Sequence, residues 1–236
     1  MIVDRKPYLC YSKQEGDGMK NFDFFTTENG VASLLLDQIP YTGKAYVRIR
    51  SAACMEALLE ECKDFCRLAG AECVCVTNVE GGHVLSHHTD VIWMQADKDQ
   101  IPAEEDVCLF PVTEETLEQW RDIYNRKMRN VPNSTYLTAA AFDAFLKENN
   151  AYFIHENGKP LGIGAVGEDS ISALASVCPG AGERIVRALC EAVFSHTVGL
   201  EVASSNHKAV SLYKRLGFVQ TKLISSWYIL YEKDRT

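Results

Sequence analysis

The sequence predicts an α/β fold: a mixed, mostly antiparallel sheet flanked by helices and distributed over two domains. Three observations predict it. Alternating apolar runs are joined by hairpin turn residues in both halves, helical-period segments stand between strands, and one strand–helix–strand order recurs along the chain. With 236 residues, 47% of them apolar, the chain has enough core-forming side chains for two domains of ~100 residues.

The first third reads as strands at Phe22–Thr27, Val31–Leu36 and Ala45–Arg50, separated by Glu28-Asn29-Gly30 and Tyr41-Thr42-Gly43-Lys44, where Gly and Asn tolerate the backbone of tight turns. Cys54–Leu68 carries Met55, Leu58, Leu59, Cys62, Phe65 and Cys66 at helical spacing, with Gly70 as a stop and a strand at Glu72–Thr77 behind it. A strand at Asp90–Ala96 precedes the acidic stretch Asp97–Asp106, which reads as a linker, so the expected domains are residues 1–100 and 106–236. The second half opens with a strand, Val107–Pro111. Thr113 then stands as the N-cap of a helix reaching about Met128, with Glu114 and Glu115 in its first turn. A helix from Thr138 buries Phe142, Phe145 and Leu146. Strands Ala151–Glu156 and Pro160–Gly167 flank Asn157-Gly158, a type I′ hairpin signal, and a third strand follows at Ile171–Val177. The chain closes with a helix at Gly182–His196, a strand at Leu200–Ala203, a helix at Asn206–Leu216, and strands Phe218-Val219 and Ile224–Tyr231.

The formal net charge of −8 gives no electrostatic footprint for nucleic acid, and no run approaches the ~20 apolar residues of a membrane helix. Met1–Lys6 lacks an apolar signal region, so a cytoplasmic location is expected, with no membrane or nucleic-acid partner. Nine cysteines without an export signal point to reduced thiols. Cys62, Cys66, Cys73, Cys75, His83, His87 and His88 have the elements of a zinc site, but no Cys-x-x-Cys pair occurs. They read as buried small hydrophobes and ordinary histidines, and no metal is expected.

Two segments carry chemistry. In Val177-Cys178-Pro179-Gly180-Ala181-Gly182-Glu183-Arg184, a strand runs through a glycine-bearing loop into a helix, whose first N–H groups are unpaired and suit a phosphate. Asn206-His207-Lys208-Ala209-Val210-Ser211-Leu212-Tyr213-Lys214-Arg215-Leu216-Gly217-Phe218 is similar to the pattern Asn-x-x-Ala-x-x-Leu-Tyr-x-x-x-Gly-Phe of the Gcn5-related N-acetyltransferases, with residue types and spacing all matched. Together the two segments make the C-terminal half resemble that family over roughly a hundred residues. The N-terminal half lacks both signals and reads as a degenerate copy of the same domain.

The resemblance implies an acyl-CoA N-acyltransferase-like sheet in tandem copies, acetyl-CoA as cosubstrate, and transfer of its acyl group to a primary amine of a small molecule by direct attack. It places the main chain of Leu174, Ala175, Ser176 and Val177 along the pantetheine arm, and the loop N–H groups of Gly180, Ala181, Gly182, Glu183 and Arg184 at the pyrophosphate. Asn206 would hold the pantetheine by its amide, and Tyr213 would be the general acid for the departing thiolate. A main-chain N–H near Val177 would meet the developing oxyanion. The loop departs from the family: Val177 stands where Gln or Arg is usual, and Pro179 offers no N–H. No carboxylate lies on Ile171–Val177, which leaves Glu201, Glu168 and His155 as candidates for the base. Tyr213 as a core aromatic, a CoA-sensing domain without catalysis, a tandem transferase of the aminoacyl-tRNA-dependent kind, and a homodimer all stay open.

Overall fold

A computed structural model describes residues 21–79 and 85–233. In chain order the elements are β1 (Phe22–Thr27), β2 (Gly30–Leu35), α1 (Ile39–Thr42), β3 (Lys44–Ala52), α2 (Met55–Leu68), β4 (Cys73–Thr77), β5 (Ser86–Asp97), β6 (Val107–Pro111), α3 (Leu117–Met128), α4 (Ala139–Phe145), β7 (Asn150–Glu156), β8 (Lys159–Val166), β9 (Ser170–Ser176), α5 (Gly182–Ala192), β10 (Thr197–Ala203), α6 (His207–Arg215) and β11 (Val219–Glu232).

The described residues form two compact units. One is Asp90–Ile224; the other runs through Thr89 and takes back the chain from Ser225. This division differs from the expected boundary at the acidic stretch. Residues Val91–Asp97 of β5 pair antiparallel with Ala203–Thr197 of β10, and Trp227–Glu232 of β11 pair antiparallel with Thr77–Cys73 of β4, so each unit takes one strand from the far side of the sequence boundary. Strand pairing is a long-range choice that a local composition shift does not report.

In the first unit β1, β2 and β3 form an antiparallel meander, α2 crosses over, and β4 returns parallel to β3 from Lys44↔Cys73 to Arg48↔Thr77. Leu58, Leu59, Cys62 and Cys66 of α2 pack on Leu34, Val47 and Val74. In the second unit β6 to β9 form the meander, α5 crosses over, and β10 returns parallel to β9. The hairpin at Asn157-Gly158 has φ of +49° and +77°, the turn that Asn-Gly predicts. One face of this sheet packs under Ile185, Leu189 and Phe218 on the side of α5 and α6. The other lies under Trp120, whose indole stacks on Phe142 at 4.9 Å and on Tyr124 at 5.6 Å and donates Nε1–H to the Tyr152 carbonyl at 3.0 Å.

Several local expectations are corrected. Thr113 is not the N-cap of α3. Its N–H donates to Thr116 Oγ1 in a turn, and the helix begins at Leu117 with Trp120 N–H donating to the Thr116 carbonyl, so Glu114 and Glu115 precede the helix. Helix α5 ends at Ala192 rather than His196. The two expected C-terminal strands are one 14-residue strand, because Gln220–Leu223 carries no turn residue to interrupt it. Among the described residues no helix is long and apolar enough to cross a membrane.

Candidate functional site

The parallel pair β9–β10 is short. Ser170 faces Gly199 and Ile171 faces Leu200, and beyond those two residues the strands part while β10 runs on beside β5. On its other side β9 stays paired with β8 through Leu174, Ala175 and Ser176. The main-chain edge of Leu174–Ser176 that faces β10 therefore opens into a wedge, where an extended ligand can add itself like a strand. The sequence-derived residues Leu174, Ala175 and Ser176 border it. Val177 does not offer its N–H: that group donates to the Leu161 carbonyl at 2.9 Å, and the Cys178 N–H donates to the same oxygen at 3.1 Å. The expected oxyanion donor near Val177 is thus already engaged, by a partner 16 residues earlier on β8.

At the mouth of the wedge the chain turns into α5. Gly180 has φ of +82°, a left-handed conformation that glycine takes without strain, and a side chain added there would meet open space. Gly182 is small for a different reason, since a Cβ would lie 3.1 Å from Leu212 Cδ2 on α6. The Ala181 N–H donates back to the Cys178 carbonyl at 3.3 Å, and the first intrahelical bond runs from the Ile185 N–H to the Ala181 carbonyl at 3.0 Å. The N–H groups of Gly182, Glu183 and Arg184 belong to the first turn, ahead of any helical acceptor, at the positive end of an 11-residue helix. The Arg184 guanidinium is ion-paired with Glu156 and Arg187 with Glu183, so the charge of both arginines is already matched by a carboxylate. The fit to a pyrophosphate rests on that first turn, with Ala181, Val177 and Cys178 withdrawn from it.

Asn206, the N-cap of α6, and Tyr213 stand about two turns apart on one side of the helix. Asn206 is the N-cap: its Oδ1 accepts from the Ala209 N–H at 3.3 Å, which commits the oxygen and leaves Nδ2 as the amide's remaining group for a ligand. Tyr213 is 6% exposed and packs on Phe218 at a tilt of 55°, with ring centroids 5.9 Å apart. Burial pushes its phenol up to about 12, so it stays protonated at neutral pH. Among the described residues its hydroxyl has no hydrogen-bond partner, and Tyr213 lines a cavity. The ring is thus packed in the core and also borders a cavity, and the general-acid role stays an expectation.

That cavity, about 330 Å³, is bounded by the wedge strands at Ile171–Leu174 and Leu200–Ala203, by Asn206 and Tyr213, and by a wall that sequence reasoning left without a role: Tyr124 and Met128 of α3 and the loop Val131–Thr135. The loop is pinned. Ser134 Oγ donates to the Met128 carbonyl at 2.6 Å, and Asn125 bridges the Leu137 main chain with Nδ2 on the carbonyl at 2.9 Å and Oδ1 accepting the N–H at 2.8 Å. Of the three base candidates only Glu201, on β10, lines the cavity. Glu168 sits in the β8–β9 turn, where its carbonyl accepts from the Ser195 N–H, and His155 packs against Phe110 at 5.1 Å. Neither reaches the cavity. The alternation of β10 explains the selection: Val198, Leu200 and Val202 are buried in the α5-side core, which turns Glu201 to the opposite face.

The cysteine and histidine cluster of the first unit does not converge. Among the described residues no group of three or more His, Cys, Asp and Glu is placed to hold a metal, and His83 lies outside them. Cys62 and Cys66 are buried in α2, where burial pushes both thiols up to about 12. Cys73 and Cys75 share one face of β4 with their sulfurs 3.9 Å apart.

Comparison with known proteins places the fold. No family model matches the chain, and no curated protein matches it. Solved structures do. A functionally unknown conserved protein from Staphylococcus epidermidis superposes with a TM-score of 0.60 at 14% identity, covering 92% of this chain and 95% of that one. A conserved protein from Enterococcus faecalis described as a probable N-acyltransferase gives 0.57 at 12%, covering 85% and 58%. A GCN5-related N-acetyltransferase from Sphaerobacter thermophilus gives 0.51 at 15%, covering 87% and 78%.

Proposed function

From the premise that this chain has the fold of the GCN5-related N-acetyltransferases, we propose that it is an acyl-CoA-dependent N-acyltransferase, with acetyl-CoA as donor and a primary amine of a small molecule as acceptor. Fold alone does not assign activity. The observation that carries the reading is the coincidence, in one cavity of the second unit, of the wedge between β9 and β10, a protonated buried phenol at Tyr213 and a carboxylate at Glu201.

The chemistry follows from those groups. Acetyl-CoA lies with its pantetheine arm along Leu174–Ser176, held by the Asn206 amide, and its phosphates before the first-turn N–H groups of Gly182, Glu183 and Arg184. Glu201 takes a proton from the bound ammonium and frees its lone pair. The amine nitrogen attacks the thioester carbonyl; a C–N bond forms and the C–S bond breaks. Tyr213 gives its proton to the departing sulfur and regains one from the nitrogen, while the proton on Glu201 passes to water. The first unit, which has no glycine at its helix entry and no Asn…Tyr…Gly-Phe counterpart, is on this reading a copy without a cofactor site.

One observation favours a second reading. Two loop N–H groups, of Val177 and Cys178, are spent on Leu161, and Pro179 has none, so the site resembles a weak acyl-CoA binder without catalysis. Calorimetric titration with acetyl-CoA and an assay of free-thiol release over a panel of amines separate the two. The transferase reading expects binding and amine-dependent thiol release that Tyr213→Phe abolishes. Binding with no release for any amine selects the second reading, and no binding at millimolar acetyl-CoA removes both.

A further inference from the structure

Cys73 and Cys75 of the first unit have no part in the acyl-transfer site. They stand two residues apart on β4 and so share one face of the strand, with their sulfurs in hydrogen-bond contact at 3.9 Å. Val74 and Val76 between and beyond them are buried in the core under α2, which turns both thiols to the opposite face of the sheet. The two thiols are unequal. Cys75 is fully buried, with Tyr46 opposite it on β3 and Ile229 on β11, whereas Cys73, at the start of the strand, is half-buried. Lys44 stands directly opposite Cys73 on β3 and has no ion-pair partner among the described residues, while Glu232 faces Cys73 from β11. The hydrogen bond from Cys75 holds the Cys73 thiol below its ordinary value, opposed by burial and Glu232 and helped by Lys44, and the same bond together with burial pushes Cys75 up. An accessible thiol with a second, shielded thiol in contact behind it is the arrangement of an attacking and a resolving cysteine.

We propose that Cys73 and Cys75 form a reversible dithiol–disulfide site, in which Cys73 exchanges with a small-molecule disulfide and Cys75 resolves the product. The Cys73 thiolate attacks one sulfur of the small disulfide. A bond forms between Cys73 Sγ and that sulfur, the disulfide bond breaks, and the other half leaves as a thiolate that takes a proton from water. Cys75 then gives up its proton and attacks Cys73 Sγ, closing the Cys73–Cys75 bond and releasing the second half as a thiol. Two electrons pass from the protein pair to the small disulfide, which ends as two thiols. Neighbours on one face of a strand lie roughly 6.6–6.8 Å apart at Cα, at the long end of the span a disulfide bridges, so the bond closes without moving β4 far and is readily reduced again. The site is independent of the acyl-transfer reading.

Trypsin isolates the pair, because Leu68–Lys98 contains no other cysteine and no internal lysine or arginine. The full chain, freed of reductant, is exposed to oxidised glutathione, its remaining thiols are blocked with iodoacetamide, and the Leu68–Lys98 peptide is followed by mass spectrometry. The expected product is this peptide lighter by two hydrogens and free of the iodoacetamide label, and dithiothreitol returns it to the doubly labelled form. Cys75→Ser traps one glutathione on Cys73, and Cys73→Ser leaves the buried Cys75 unmodified. The wild-type measurement stands without either variant. A peptide that stays doubly labelled while the exposed Cys54 and Cys108 take up glutathione overturns the site. Glutathione that remains on Cys73 of the wild type without closure overturns it as well, as does glutathione on Cys75 in Cys73→Ser at the wild-type rate. Closure seen only in urea, and not in the folded chain, does the same.

Discussion

The two units place the same elements, a three-strand meander, a crossover helix and a parallel fourth strand, around two different gaps. In the first unit β3 and β4 stay paired over five residues, and just past the end of β4 the Asn78 amide donates Nδ2–H to the Ile49 carbonyl at 3.3 Å. In the second unit β9 and β10 part after two residues, and the main chain of Leu174–Ser176 faces open space. The helix entries differ in the same sense. Ala53 and Cys54 ahead of α2 both spend their N–H groups on the Asn29 carbonyl, at 2.8 and 3.1 Å, whereas Gly180 at the entry to α5 adopts a left-handed turn that leaves the first-turn N–H groups facing outward. One arrangement satisfies its own backbone and so has nothing to offer a ligand. The other leaves donors and acceptors over, which on the transferase reading are there for a ligand.

That contrast can be broken or sharpened by four changes. The largest effect belongs to Tyr213→Phe, which removes the proton donor while keeping the ring against Phe218. Turnover falls by at least about a hundredfold, with acetyl-CoA affinity within about twofold of wild type by calorimetry. Unchanged turnover returns Tyr213 to the core and makes the second unit as silent as the first. Next is Gly180→Val, which forces a β-branched residue into positive φ. The expected outcome is a roughly tenfold weaker Kd for acetyl-CoA, whereas Cys54→Ala at the corresponding entry in the first unit changes neither binding nor thermal stability. If both variants bind alike, the helix entry does not distinguish the units. Third, Asn78→Gly keeps the left-handed backbone at φ of +61° but deletes the bond to Ile49. It lowers stability by about 0.5–1.5 kcal/mol in a urea titration and leaves acetyl-CoA binding alone.

The last effect is nil at neutral pH and treats both units equally. Burial holds the thiols of Cys62 and Cys66 in the first unit, and Cys190 and Tyr213 in the second, at about 12. Unfolded, these groups lose their protons from about pH 9 for cysteine and about pH 10 for tyrosine. Between there and pH 12 the unfolded chain binds fewer protons than the folded one, so stability falls as pH rises. The thermal midpoint is expected to be flat from about pH 7 to 8.5 and to drop steadily above pH 9. A midpoint that holds to pH 11 shows that these groups titrate as though exposed.

Much of the scaffold was legible because its signals are local. Asn157-Gly158 specifies its hairpin through two residues' freedom at positive φ, and Asn206 caps α6 through a side chain that reaches three residues ahead. The reading of Thr113 as a cap failed within the same range, since Thr113 and Thr116 compete for one role and their mutual hydrogen bonds settle it. The candidate site was legible only in part. Leu174–Ser176 border the wedge, Gly182–Arg184 form the first turn of α5, and Asn206 and Tyr213 line one cavity, while Glu201 was one of three carboxylate or imidazole candidates that spacing could not rank. The cavity wall at Tyr124, Met128 and Val131–Thr135 carried no signal, because a wall is defined by what distant parts of the chain bring together.

By itself the sequence determined most of the strands and longer helices, the Asn157-Gly158 hairpin turn, the glycine-bearing helix entry and the helix that carries Asn206 and Tyr213, because each depends on torsional preferences and hydrogen bonds within a few residues. Tertiary structure alone decided where β9 and β10 separate, that Leu161 consumes the Val177 and Cys178 N–H groups, that Ser225–Glu232 joins the first unit, and that Glu201 shares a cavity with Tyr213. These are pairings between residues far apart in the chain, chosen by competition among many possible partners for burial and backbone hydrogen bonds.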